Sequence, residues 1–265
     1  MVVDDTTSRL NMATSVSLGG TPLGLTLDLS SLEYDGDVIL ENLHLQLRPG
    51  QFTCLLGPSG VGKTSILKLI AGTLSLKNRY SLETSDGAPL TGRVAYMDQK
   101  DLLLPWVTAL ENVTIGDRLR GLKPDYDKAR ALLKEVGLEG AEDKKPGALS
   151  GGMRQRVALA RTLMEDAPLI LLDEPFSALD AISRHNLQSL TADKLSDRTV
   201  LMITHDPLEA LRLGGEVMVL SGHPASLTKI EGLPPATPRE ATDPSLHTSY
   251  TEILSLLQGA GDIDA

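Results

Sequence analysis

Residues 57–64, GPSGVGKT, have the spacing G-x-x-x-x-G-K-[ST], which is suited to holding phosphate. Glycines let the backbone turn tightly, so that several N–H groups point at phosphate oxygens, and a following helix adds its positive N-terminal end. Lys63 can then lie against the outer phosphates of a nucleotide, and the Thr64 hydroxyl can bind Mg²⁺. A glycine-rich turn with an incidental Lys and Thr would have the same letters. The strand predicted before the motif and the helix predicted after it favour the phosphate site.

Two acidic residues, Asp173 and Glu174, directly follow the apolar run at residues 169–172. Ligands bind at the carboxyl ends of the strands in open α/β sheets, so these acids are expected beside the phosphate loop. Asp173 can hold Mg²⁺, directly or through water, and Glu174 can accept a proton from an attacking water. The alternative is a strand that simply ends at two acids.

The elements that must position these residues can be predicted from hydrophobic spacing. Alternation at residues 25–29 and the apolar runs in 38–47 and 51–56 indicate strands, and 65–71 has helical spacing. Residues 98–164 predict a mostly helical insert, whereas 169–172 and 200–203 are typical of buried parallel strands. Near the C-terminus, Tyr250, Ile253, Leu254 and Leu257 indicate a short amphipathic helix.

Further segments resemble those of one enzyme family. Residues 149–156, LSGGMRQR, resemble the signature motif of the ATP-binding cassette (ABC) ATPases and begin shortly before Asp173, as that family requires. Residues 177–180, SALD, resemble the family's D-loop. His205 resembles its switch histidine, Gln99 its Q-loop glutamine, and Tyr34 the aromatic residue that stacks on adenine. The resemblance covers about residues 23–225. Met153 departs from it, because the commonest family form has Gln at this position.

The resemblance implies an α/β fold in which a P-loop NTPase (RecA-like) core carries an antiparallel β subdomain and a helical signature subdomain. It also implies ATP and Mg²⁺ as ligands. Glu174 would be the general base, with His205 and Gln99 sensing the γ-phosphate, and the metal site would comprise Thr64, Gln99 and Asp173. The residues implied to bind nucleotide are Tyr34, Gly57, Pro58, Ser59, Gly60, Val61, Gly62, Lys63, Thr64, Ser65, Ser150, Gly151, Gly152 and Asp180.

The signature segment also has consequences for assembly and domain organisation. Ser150 is a good helix N-cap, and Gly151 and Gly152 leave the next N–H groups open to phosphate. In the family this helix start faces the phosphate loop of another subunit, so a head-to-tail homodimer is implied. We predict a flexible N-terminal tail at 1–22, an ATPase domain at 23–225 with its helical subdomain at about 98–164, and a C-terminal extension at 226–265.

No apolar run approaches the roughly 18 residues that cross a bilayer, and Asp4 and Asp5 stand where a signal peptide would need Lys or Arg, so we expect no export signal. We therefore expect a cytoplasmic protein that is peripheral on the inner face of the cell membrane. The resemblance implies separate permease subunits and an external solute-binding protein. Residues 102–106, LLLPW, lie where the family docks a permease helix, although they could equally pack inside the helical insert. Several segments look like those of the ATPases of nitrate, sulfonate and taurine importers. One is also like the corresponding segment of their relatives for a thiamine precursor (hydroxymethylpyrimidine).

The formal net charge is −10, from 25 Lys and Arg against 35 Asp and Glu, so nucleic acid is not an expected partner. Most of the acidic residues lie at the two ends of the chain, and the central body is nearly neutral. The argument against a nucleic-acid partner therefore rests more on the motifs than on the net charge. The only cysteine, Cys54, is predicted to be a buried core residue in a reducing compartment. Two alternatives stay open: a soluble P-loop kinase acting on a small molecule, and a non-transport ABC ATPase.

Overall fold

A nine-stranded mixed sheet organises the chain, and the computed structural model describes residues 21–76, 79–240 and 242–258. Its strands are β1 (Leu25–Tyr34), β2 (Asp37–Leu47), β3 (Phe52–Leu56), β4 (Tyr80–Thr84), β5 (Val94–Met97), β6 (Leu169–Asp173), β7 (Thr199–Ile203), β8 (Glu216–Gly222) and β9 (Ala225–Ile230). The helices are α1 (Lys63–Ile70), α2 (Ala109–Val113), α3 (Ile115–Leu119), α4 (Tyr126–Glu135), α5 (Gly151–Met164), α6 (Ala181–Lys194), α7 (Pro207–Leu213) and α8 (His247–Gln258). The predicted tail at 1–22 lies outside the described residues except for its last two.

The strand order is β4-β1-β2-β9-β8-β3-β7-β6-β5. Strands β8, β3, β7, β6 and β5 run parallel and form the core, whereas β4, β1 and β2 pair antiparallel. The parallel strands are short and almost wholly buried, as expected for a sheet covered by helices on both faces. The predicted α/β fold, with a P-loop core and an antiparallel β part, is confirmed.

Side chains of the central strands alternate between two hydrophobic clusters. In β6, Leu169 and Leu171 face the cluster that includes α1, whereas Ile170 and Leu172 face the cluster that includes α4 and α5. Each face of the sheet is therefore covered by helices, and the loops at the carboxyl ends of the strands are left at the edge where ligands bind.

The structure adds detail at the predicted boundaries. Within the predicted helical insert the first helix begins at Ala109, and before it the side chains of Asp98 and Asp101 accept from the backbone N–H groups of Lys100 and Leu103 and so favour turns. The predicted division at 225/226 falls inside β9, which pairs with β8 and β2, so the sheet continues to Ile230. Beyond it, the predicted C-terminal helix is present as α8, with Ile253 buried.

Candidate functional site

A cavity of 370 Å³ lies at the carboxyl end of β3, within the size range of small-molecule sites. It is open to solvent on one side. Nine of the residues predicted from the sequence line it, together with Ile39, which the sequence analysis missed. The lining residues are Tyr34, Ile39, Ser59, Gly60, Gly62, Lys63, Thr64, Ser65, Gln99 and Glu174.

The loop between β3 and α1 depends on glycine at specific positions. Gly60 and Gly62 have φ values of 82° and 97°, which disfavour residues with a Cβ. A Cβ at Gly62 would also lie 2.9 Å from Cδ1 of Leu40 in β2. Helix α1 therefore starts tight against the β1–β2 hairpin, with its first N–H groups facing the cavity.

Lys63, the first residue of α1, is buried and turns back over the loop. Its Nζ donates to the carbonyl oxygens of Gly57 and Pro58, at 2.7 Å each. Burial lowers the pKa of Lys63, while the nearby carboxylates of Glu174 and Asp173 act in the opposite direction. A positive charge is thus fixed at the mouth of the loop, where it can meet phosphate oxygens.

Thr64 and Asp173 form the second feature of the site. The Thr64 Oγ1 donates to Asp173 Oδ2 at 2.9 Å, across the gap between α1 and the end of β6. Asp173 is 1% exposed, and this burial raises the pKa of its carboxyl. A hydroxyl and a carboxylate oxygen side by side match the oxygen ligands that Mg²⁺ prefers, so the pair fits this ion.

Glu174 is held in an unusual backbone conformation with φ of 47°. Its N–H donates to the carbonyl of Ile203 at the end of β7, which fixes the turn. Its Oε2 lies 3.3 Å from Nε2 of Gln99 and 3.3 Å from Nδ1 of His205. The three residues predicted to be catalytic therefore meet at one carboxylate oxygen, and left-handed conformations of non-glycine residues are concentrated at such functional sites.

The signature and D-loop residues lie outside the cavity. Ser150 caps α5, its Oγ accepting from the Met153 N–H at 3.2 Å, and Gly151 and Gly152 form the first turn of that helix. Asp180 caps α6 by accepting from the Ser183 N–H at 3.0 Å. These hydrogen bonds lower the pKa of the exposed Asp180 carboxyl.

Three members of the phosphate loop contribute differently from the lining residues. Gly57 and Pro58 present carbonyl oxygens to Lys63, and the Val61 side chain packs into the core, leaving only its backbone to face a ligand.

A buried glutamine, Gln155 of α5, links the signature helix to the segment after β6. Its Nε2 donates to the Glu174 carbonyl at 3.0 Å, and its Oε1 accepts from the Ala178 N–H at 2.8 Å. The sequence analysis did not predict a role for Gln155, because hydrophobic spacing in α5 identifies buried apolar positions and does not identify a buried polar residue. It connects the backbone of the candidate base to both motifs that lie outside the cavity.

Comparisons with known proteins agree with this geometry. The family model described as ABC transporter matches residues 40–177. A Haemophilus influenzae protein named "Uncharacterized ABC transporter ATP-binding protein" is 42% identical over 86% of this chain and 96% of its own length. An "Aliphatic sulfonates import ATP-binding protein SsuB 1" of Rhodococcus jostii is 41% identical over 89% of this chain and 94% of its own, and a Bacillus subtilis SsuB is 36% identical over 86% and 90%.

A solved structure has a similar fold. It is the dimeric post-hydrolysis state of the ATP-binding cassette MJ0796 bound to ADP and Pi, with a TM-score of 0.67 and 29% identity, covering 78% of this chain and 99% of that one. Of the helices that the model of this chain describes, none has the length and apolar content needed to span a bilayer.

Proposed function

Because the chain belongs to the ABC transporter family and is one of its ATPases, we propose that it powers the import of a sulfonate through separate permease subunits. The observation that carries the catalytic part of this proposal is the meeting of Glu174, His205 and Gln99 at one carboxylate oxygen beside the phosphate loop. The names of the relatives support the substrate class, because several are aliphatic sulfonate import ATPases. Nitrate, taurine and thiamine-precursor pyrimidines are the other substrates to test.

In this proposal the cavity binds ATP from two sides. Tyr34, which is 69% exposed, offers a ring face for the adenine, and Ile39 adds an apolar wall beside it. The N–H groups at the start of α1 and the Lys63 ammonium receive the phosphates. Ser59, Gly60, Gly62 and Ser65 complete the phosphate side.

Hydrolysis needs a base at the γ-phosphate end of this cavity. Glu174 accepts a proton from the attacking water, while Gln99 and His205 orient the carboxylate and contact the water or the γ-phosphate. Thr64 and Asp173, with Gln99 nearby, would hold the metal. Mg²⁺ bound there would neutralise charge on the phosphates during transfer.

The caps at Ser150 and Asp180 act on a second copy of the chain in this proposal. Both helix starts are exposed and lie outside the chain's own cavity, so their phosphate-binding N–H groups are available to another subunit. The similar structure of MJ0796 is described as dimeric. We therefore expect two ATP molecules to be enclosed between two subunits, and hydrolysis to open that dimer.

Coupling to a permease involves the leucine–tryptophan patch, which we define as Leu102 and Trp106, 58% and 67% exposed. Arg161 of α5 donates to the carbonyl oxygens of Asp101 and Leu102, and Arg154 Nε donates to Asp101 Oδ2 at 2.8 Å. The signature helix α5 is therefore hydrogen-bonded to the segment that carries the patch.

A movement of the patch would therefore be transmitted to Gln99, a few residues before it, and to Ser150 at the start of the signature helix. In this proposal the chain sits on the inner face of the membrane, and an external solute-binding protein delivers the sulfonate.

The proposal is tested by growth of a strain that lacks the gene, on an alkanesulfonate as the only sulfur source. Wild-type protein should restore growth, Glu174→Gln should not, and growth on sulfate should be unaffected in every strain. Parallel cultures on taurine, on nitrate as nitrogen source and on a thiamine precursor identify a different solute. Full growth of the deletion strain on all of these would overturn an import role and favour a non-transport ABC ATPase. The family assignment already argues against a small-molecule kinase.

A further inference from the structure

A buried acid with no role in the proposed mechanism, Glu209, lies in the first turn of α7. Its side chain is 7% exposed, and the charge of a carboxylate is costly to bury without partners. Gln188 of α6, itself 5% exposed, donates its Nε2 to Glu209 Oε1 at 3.0 Å. The Glu209 carboxylate thus ties α7 to α6, the helix that begins at Asp180.

Glu209 also reaches the residues on either side of His205. Thr204 and Glu209 line the same small cavity, the Thr204 hydroxyl favours the charged form of the Glu209 carboxylate and so opposes the rise in its pKa, and the hydroxyl oxygen accepts from the Asp206 N–H at 3.1 Å. The Asp206 carboxylate in turn accepts from the N–H groups of Leu208 and Glu209. Thr204 therefore stands between the Glu209 carboxylate and the Asp206 N–H, and the Asp206 carboxylate caps the helix that carries Glu209.

The charged groups around Glu209 are few. Burial raises the pKa of its carboxyl, and the hydrogen bonds from Thr204 and Gln188 act in the opposite direction. Asp206 and Arg184 are charged neighbours of Glu209, Glu174 lines the same small cavity, and Arg184 Nη1 lies 3.7 Å from Asp206 Oδ2. These contacts leave Glu209 bound mainly by neutral donors, which orient a side chain without cancelling its charge.

A small cavity connects this network with the candidate base. It has a volume of 20 Å³, room for about one water molecule, and its lining includes Glu174, Thr204, His205 and Glu209. Glu209 therefore shares this small cavity with Glu174 and His205 but does not line the larger cavity where the nucleotide would bind.

We propose that Glu209 is a positioning residue that holds His205 against Glu174 through the Thr204 hydroxyl. This inference rests on the proposed role of His205. The His205 side chain is 65% exposed, so packing does little to hold it, and its direction depends on the backbone of residues 204–206. A misplacement of about 1 Å at a catalytic group can cost on the order of 100-fold in rate, which is the scale of loss that an unanchored His205 could cause.

The test is steady-state ATP hydrolysis by the purified full chain. Glu209→Ala should lower kcat by about 10- to 100-fold and leave the KM for ATP within about twofold, since ATP does not contact Glu209. Glu209→Gln keeps the side-chain volume, an oxygen that accepts from Gln188 and an amide that can hydrogen-bond the Thr204 hydroxyl, so it should recover most of the rate. Thr204→Val breaks the link to the His205 loop, keeps the Gln188 contact, and should reproduce the loss.

A matched control is Glu216→Ala, which removes another buried acid, 5% exposed and paired with Lys229 in the distant β8–β9 pair. It should lower the melting temperature and leave kcat unchanged. In a His205→Ala background, Glu209→Ala should cause no further loss of kcat, because it acts through that histidine.

Two results would overturn the inference alone: a slow His205→Ala variant beside a Glu209→Ala variant of native kcat, or losses that multiply in the double variant. A native rate for His205→Ala would instead remove the proposed role of His205, and this inference with it.

Discussion

Replacing Glu174 by Gln removes the candidate base while preserving the shape of the site. The variant keeps the side-chain volume, the left-handed backbone and one oxygen able to accept from Gln99 or His205. It removes the negative charge that would take the proton from water. General bases typically contribute about 10²- to 10⁴-fold in rate, so hydrolysis should fall by at least two orders of magnitude, which is about 3 kcal/mol or more of barrier.

The cost of this substitution to stability should be much smaller. The contact of Glu174 with His205 joins a mostly buried carboxylate to a largely exposed imidazole, and such half-exposed pairs contribute about 1 kcal/mol or less. The Glu174 backbone contacts to Ile203 and Gln155 do not involve the carboxylate and stay in place. A loss of activity in this variant therefore reports on chemistry and not on unfolding.

The assay measures phosphate release with Mg²⁺ and ATP, alongside gel filtration with ATP present. The variant should bind ATP, hydrolyse it slowly and elute as a dimer, because the step that opens the dimer is blocked. Glu139→Gln is a suitable control, since Glu139 is an exposed acid paired with Lys134, and it should behave as wild type. Hydrolysis by Glu174→Gln at a near-native rate would refute the assignment of the base.

Three further predictions concern other parts of the site. Tyr34→Ala should raise the KM for ATP about 5- to 150-fold, from the roughly 1–3 kcal/mol of a base–aromatic stack, whereas Tyr34→Phe should not, and equal effects of the two in phosphate-release kinetics would contradict the stacking role. Asp173→Asn should raise the melting temperature of the nucleotide-free protein, because the raised pKa of Asp173 means that its charged form is disfavoured in the fold. Since wild-type Asp173 becomes protonated as the pH falls, the increase in melting temperature should be larger at pH 8 than at pH 5. An increase that is larger at pH 5 would contradict a raised pKa of Asp173. Asn112→Ala should lower the unfolding free energy in urea by about 3 kcal/mol, because the fully buried Asn112 amide accepts from the Leu104 N–H and donates to the carbonyls of Leu104 and Thr108, and exposed Asn186→Ala should change it little.

Short-range pattern was enough to predict the centre of the fold. The β3–loop–α1 unit follows from an apolar run, a glycine-rich turn and helical spacing, and all three are local. Glu174 follows β6 and His205 comes two residues after β7, and these two strands pair in parallel, with Leu172 beside Met202. Because parallel strands end at the same edge, the approach of Glu174 to His205 could be predicted before any distance was known.

Other features depend on contacts between distant segments, and local spacing contains no information about them. The parallel pairing of Leu40 with Ala225, which joins the antiparallel strands to the core, is one example. The contacts of Gln155 and Glu209 are a second example. Each is a polar residue on a buried helix position, and its role is visible only when the partner segment is in place.

Cys54 has a practical consequence for measuring motion. It lies in the middle of β3 between β7 and β8, is fully buried, and burial raises the pKa of its thiol, so labelling reagents meet neither an exposed sulfur nor a thiolate. As the only cysteine in the chain, it leaves the natural sequence ready for site-directed spectroscopy. A single exposed substitution such as Ser196→Cys would place one probe on each subunit, and the distance between two probes would follow dimer opening during turnover without any other change to the protein.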